Sequence, residues 1–178
     1  MDAFDRLGIA PQFWVDQSRV QAAYLAAVAR VHPDLARGDP DAAARSAELN
    51  DALATLMDDE RRARAIIHRF WGTEALAGRE LPDGFLVDIM GIREEAESDL
   101  ASGGGAALVR WRERAGAMRA ERMGEVGRLI DELTEARTAG EASPREAELL
   151  REVREQLNAW RYVERMLEQI EPGAGTTP

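Results

Sequence analysis

Apolar positions recur along this chain in steps of three and four, the spacing of amphipathic helices, and no segment shows the two-residue alternation of a strand. Phe4 to Leu7 reads as one short helical turn closed by Gly8, and Pro11 with the pair Phe13-Trp14 forms a connecting loop. Asp16 is placed to cap a helix over 17–31, in which Val20, Tyr24, Val28 and Val31 make a single stripe. Ala22, Ala23, Ala26, Ala27 and Ala29 fill the intervening positions, giving high helix propensity and room for close packing. Pro33 stops that helix, because the residue before a proline is pushed out of helical conformation. A second helix over 40–57 starts from Asp39 as cap and Pro40 in the first turn, and buries Leu49, Leu53 and Leu56 beside Ala42 and Ala52. Two helices of about four turns joined by about eight residues predict an antiparallel hairpin. Asp58-Asp59 then breaks and recaps the chain for a short helix with Ala63, Ile66, Ile67 and Phe70 inward, ended by Gly72.

The second half changes scale. After a linker over 73–84, a helix over 85–100 carries Phe85, Ile89, Ile92, Ala96 and Leu100 within roughly 80° of one another, enough to seat it on a core. Leu86, Val87 and Met90 lie roughly 100–200° round from Phe85, with Glu94 in the same sector. One buried face does not need them, so they predict a second contact surface. Ser102-Gly103-Gly104-Gly105 breaks this helix, and a long one follows over 106–138 with Leu108, Trp111, Ala115, Met118, Val126, Leu129, Leu133 and Ala136 inward, interrupted at Arg122. Thr138 to Ser143 reads as a turn, and Pro144 opens a last helix buried along Leu149, Leu150, Val153, Leu157, Trp160, Val163, Leu167 and Ile170. Tyr162 points away from that stripe. The expected architecture is all-α: a unit of short helices over 1–72, a three-helix bundle over 85–170 and a disordered tail over 171–178.

Composition narrows what such a chain does. The formal net charge is −10, with most of the acidic excess after residue 72, so the basic footprint of a nucleic-acid binder is absent. All 23 basic residues are arginine, which removes Schiff-base and phosphate-loop lysine chemistry. The absence of cysteine removes disulfides, thiolate metal sites and cysteine nucleophiles. Two histidines, His32 and His68, are too few for a histidine-rich metal site, and His68 reads as a surface or partly buried structural residue. Trp111 and Trp160 read as core. The arginines between 110 and 137 interleave with glutamates as an ion-paired, solvated face. Neither a signal peptide nor a membrane-spanning run is evident, so the expected location is the cytoplasm.

The candidate working residues are His32-Pro33-Asp34, set between the two helices of the hairpin. Taken alone, the tripeptide equally reads as a helix stop, with histidine favoured at a helix C-terminus and proline ending the helix. In context it resembles the loop of a J domain, and the wider pattern is similar to the HscB family, the J-domain co-chaperones of iron–sulfur cluster assembly. Asp2-Ala3-Phe4-Asp5-Arg6-Leu7-Gly8, the stretch from Ser46 to Leu56, and Arg62-Ala63 with Gly72 resemble successive parts of that family's first domain. Phe85 to Glu95 resembles its first C-terminal helix, and Trp160-Arg161-Tyr162-Val163 the signature near its end. The likeness spans about residues 2–170, with 101–150 matching in helical character only. Departures are Val31 and Leu35 where the family has an aromatic and a lysine, and Gly91 and Ser98 where it tends to be acidic.

The resemblance implies a helper with no catalytic residues, cofactor or metal of its own. His32, Pro33 and Asp34, with Arg19 and Arg30 on the preceding helix and Arg37 in the loop, would dock on a DnaK-class, HscA-like chaperone and stimulate its ATP hydrolysis. Leu86, Val87, Met90, Glu94 and Tyr162 would hold an IscU-type scaffold protein. These positions also lie off the buried stripes. The alternatives are a J-domain adaptor for another client, and a helical-bundle enzyme of chorismate mutase type using Arg112, Arg119 and Arg128.

Overall fold

The computed structural model describes residues 1–31, 41–138 and 144–170, the side chains of 167, 169 and 170 excepted. His32, Pro33, Asp34, Leu35, Arg37, Asp39 and Pro40 therefore lie outside the described residues, as do the turn expected up to Ser143, the side chains of Leu167 and Ile170, and the tail over 171–178. All described elements are helical. The chain divides into two compact units, Met1–Leu76 and Ala77–Pro178.

In the first unit α1 is Ala3–Leu7, α2 Gln17–Val31, α3 Ala42–Met57 and α4 Asp59–Trp71, followed by a 3-10 turn over Thr73–Leu76. Asp2 caps α1 by accepting from the Asp5 amide at 3.0 Å, and Gly8 ends it in left-handed conformation. Asp16 caps α2 as expected, its carboxylate accepting from the Ser18 and Arg19 amides at 2.9 and 3.2 Å. The start of α3 differs from expectation: the helix begins at Ala42, with Asp41 rather than Asp39 at the capping position and no capping bond from its side chain. Asp58 recaps α4 through the Arg61 amide at 2.8 Å.

Phe4, Phe13, Val20, Ala52, Leu56, Ala63, Ile66 and Ile67 are almost fully buried and form the apolar interior of this unit. The Tyr24 hydroxyl donates to Asn50 Oδ1 at 2.7 Å, tying α2 to α3. Arg6 pairs with Glu48, and Arg69 on α4 pairs with Asp2 and Asp5 at the start of the chain. Arg62 is the surprise: only 3% exposed, it donates to the Phe13 carbonyl at 2.7 Å and the Leu56 carbonyl at 2.6 Å, and pairs with Asp59. One guanidinium thus satisfies two buried carbonyls that no helix bonds.

The second unit contains α5, Phe85–Thr138, and α6, Pro144–Ile170. At Gly104 the backbone leaves helical conformation (φ 55°, ψ −145°), so α5 folds as two arms. Their register is antiparallel: Arg110 and Trp111 donate to Asp99 at 3.3 and 3.2 Å, and Arg114 to Glu95 at 2.8 Å. The longer arm runs antiparallel to α6, with Arg119 on Glu164, Arg122 on Gln156 and Arg145 on Glu132. Three helical segments thus share a core of Phe85, Ile89, Ala96, Trp111, Ala159, Val163 and Met166. Trp111 and Trp160 are buried, as their spacing predicts.

The expectation of a uniformly solvated arginine face fails at Arg122. Its guanidinium lies 5.2 Å from the centre of the Phe85 ring and donates to Gln156 Oε1 at 2.6 Å, in a partly buried position. It interrupts the apolar stripe because its guanidinium is itself turned inward, over the Phe85 ring and onto the Gln156 amide.

Candidate functional site

α2 presents its polar side to solvent. Arg19 and Arg30, about three helical turns apart, share one face and are both exposed. Exposed Ala22, Ala26 and Ala29 leave that face low and open to an approaching surface. Val31, at the end of the helix, is partly buried. The candidates that follow it, His32, Pro33, Asp34 and Arg37, lie beyond the described residues. His68 is exposed on α4.

The second unit holds the better-defined feature. Phe85 and Ile89 turn into the core, which forces the residues beside them outward: Leu86 is 47% exposed, Val87 75% and Met90 55%. Across from them Tyr162 is 41% exposed, its ring edge-on to the buried Phe85 ring at 6.1 Å. That contact fixes the phenol at the lip of a groove of about 280 Å³ lined by Leu86, Ile89, Met90, Arg93, Tyr162 and Arg165, with Met166 at its floor. Leu86, Met90 and Tyr162 thus come together in one concavity. Val87 and Glu94 are exposed on the same helix but do not line it. Large apolar side chains exposed together on a rim of charge mark a contact surface rather than a catalytic pocket.

Reading the pattern of apolar residues missed two groove members. Arg93 and Arg165 flank the apolar floor, and Arg93 is held by Glu97 at 2.8 Å. Their positions next to Ile92 and Met166 were visible, but which arginines face a groove depends on how two distant helices cross. Of the three arginines weighed for an enzyme, Arg119 pairs with Glu164, and Arg128 with Glu125 and Glu132.

Residues 2–65 match the DnaJ domain. A co-chaperone protein HscB homolog of Burkholderia thailandensis is 30% identical over 142 residues, covering 76% of this chain and 71% of that protein. The chain belongs to the HscB family of co-chaperones. A second HscB homolog, of Pasteurella multocida, is 36% identical over 107 residues, 55% of this chain, and the match spans only 61% of that protein. The crystal structure of human co-chaperone protein HscB superposes with a TM-score of 0.72 over 96% of this chain and 80% of its own, at 21% identity, which establishes the shared fold. The family therefore supplies a J domain followed by a helical bundle. The matched relatives of that family are named co-chaperones. No helix among the described residues is long and apolar enough to cross a membrane.

Proposed function

We propose that this HscB-family chain, working in the cytoplasm, presents an IscU-type iron–sulfur scaffold protein to a DnaK-class, HscA-like chaperone and stimulates that chaperone's ATP hydrolysis. The observation that carries the reading is the exposed apolar groove of Leu86, Met90 and Tyr162, with Val87 and Glu94 beside it. Burying such side chains against a partner gives about 25 cal/mol per Å² of apolar area removed from water, and Tyr162 enters the contact already oriented by Phe85. Arg19 and Arg30 on the open face of α2 offer cationic contacts to the chaperone. Asp34 accepts an arginine of the chaperone in a charge-assisted bond, while Pro33 restricts the loop and His32 adds a directional hydrogen bond.

The two halves are tested separately in the full chain. His32→Gln or Asp34→Asn should abolish the rise in the chaperone's single-turnover ATPase rate while leaving scaffold binding intact. Leu86→Ala combined with Tyr162→Ala should do the reverse: scaffold binding lost, stimulation without scaffold retained. Stimulation by neither the parent nor any variant, with every DnaK-class chaperone of the same cell, would sink the first half. Unchanged scaffold affinity in the double variant would sink the second and point to another client.

A further inference from the structure

All 6 methionines of the chain lie among the described residues, and they differ sharply in exposure. Met1 is 83% exposed and Met90 55%, whereas Met57, Met118 and Met123 are partly buried and Met166 is 5% exposed. Met90 is thus the exposed methionine of the second unit, and it lines the groove together with Leu86, Ile89 and Tyr162. Its outward position is imposed by the helix: Ile89 turns into the core, so the next residue round faces solvent. The chain has no cysteine, so thioethers are the only sulfur that an oxidant meets.

We infer that Met90 is an oxidation site, at which a hydroperoxide converts the thioether to the sulfoxide and so releases the protein docked on the Leu86–Met90–Tyr162 groove. This rests on the proposed docking role of that groove. The step is an oxygen-atom transfer. A sulfur lone pair attacks one peroxide oxygen, the O–O bond breaks, and proton transfer leaves the sulfoxide with water, or with an alcohol from an organic hydroperoxide. Sulfur is oxidised, the peroxide is reduced and nothing else is consumed. The unmodified thioether suits a docking groove: flexible, apolar and polarisable, it packs on aromatic rings and adapts to a partner's shape. The sulfoxide is polar and carries an acceptor oxygen. Docking would take that oxygen out of water against a surface that fits an apolar side chain, and a polar group buried without a matching donor opposes binding. Met166 lies beneath the groove almost wholly buried, so the oxidant reaches first the sulfur that the partner also meets.

The test treats the full chain with hydrogen peroxide and removes the oxidant before purified IscU-type scaffold is added. Peptide mapping by mass spectrometry should show Met1 and Met90 converted ahead of the other methionines. Calorimetry should then find scaffold bound about tenfold more weakly or worse, the cost of one polar group buried without a partner. Met90→Leu, which conserves volume, should bind scaffold equally well before and after the same treatment. Helix content by circular dichroism should be unchanged throughout, which shows that the oxidised chain stays folded. A separate measurement needs no variant: saturating scaffold should slow the oxidation of Met90 in the parent and leave that of Met1 unaltered. Full binding by a chain whose Met90 is wholly sulfoxide would overturn the inference. So would an equal loss in oxidised Met90→Leu, conversion of Met118, Met123 or Met166 ahead of Met90, or Met90 oxidation that scaffold does not slow. Untreated Leu86→Ala/Tyr162→Ala separates the two failures. If it does not bind scaffold, the groove stands and the oxidation site alone falls; if it binds as the parent does, the docking reading falls as well.

Discussion

A buried guanidinium is expensive to desolvate, so Arg62 is informative about how the J domain closes. At 3% exposure it bonds the loop carbonyl of Phe13, the C-terminal carbonyl of Leu56 on α3 and the carboxylate of Asp59, while its plane lies 5.1 Å from the Phe13 ring centre. One side chain thus joins the loop before α2, the end of α3 and the first turn of α4. Arg62→Met keeps the volume but strands both carbonyls, and should destabilise the first unit by on the order of 2–3 kcal/mol. Arg62→Lys should recover only part of this, because one ammonium cannot reach three diverging acceptors. Urea denaturation at neutral pH measures both; a methionine variant as stable as the parent would refute the role. The same residue shows why sequence reading stops short. Arg62 sits one turn before Ile66 on the buried face of α4, so its position was readable, but its partners were not. Arg122 was passed over in the same way, as an interruption in a stripe rather than as a packed residue over Phe85.

At the scale of elements, most of the fold was legible because it is built from helices, whose burial is a local, periodic property. Val20, Leu56, Ile66, Trp111, Leu133 and Leu157 all lie buried where their spacing puts them. The exposed ridge of Leu86, Val87 and Met90 was legible for the converse reason: apolar residues outside the stripe have no core to enter. What could not be read was any feature made by two elements meeting, such as the Phe85–Tyr162 ring contact or the Asn158 hydrogen bond to the Glu80 carbonyl. The break at Gly104 was readable from three consecutive glycines, and the structure gives its reason. With φ at 55° the backbone occupies a region that disfavours a Cβ, and the two arms of α5 fold back at this point. Gly104→Ala should therefore destabilise the bundle by about 1–3 kcal/mol without reducing helix content at low temperature. Thermal unfolding followed by circular dichroism reads both quantities. An unchanged midpoint would mean that the turn relaxes freely.

Across the whole molecule, arginine–carboxylate pairs do in both units what lysine pairs share in most chains, and this sets how the protein responds to acid. In the first unit the Asp2 carboxyl lies below its ordinary value of 3.8; partial burial pushes it up, but bonds from the Asp5 amide and the Arg69 guanidinium outweigh that. In the second, the Arg128 guanidinium bonded to Glu125 draws that carboxyl below its ordinary 4.5, against partial burial. A carboxyl depressed in the folded state stabilises the fold fully above its unfolded value. That stabilisation is lost as pH falls through the lower folded value, because protons then bind the unfolded chain first. Both units should therefore hold their stability from neutral pH down to about 5 and lose it progressively below the ordinary carboxylate values. Asp2→Asn and Glu125→Gln should each lower the unfolding midpoint at pH 7 and narrow the difference between pH 7 and pH 3, since the variant has no charge left to lose. Arg69 and Arg128 both stay protonated throughout, so the whole change belongs to the carboxyls. Denaturation at pH 7, 5, 4 and 3 gives the comparison. A variant that loses as much stability on acidification as its parent would show that its carboxylate–arginine pair does not couple proton binding to folding, and that general charge repulsion drives the acid response instead.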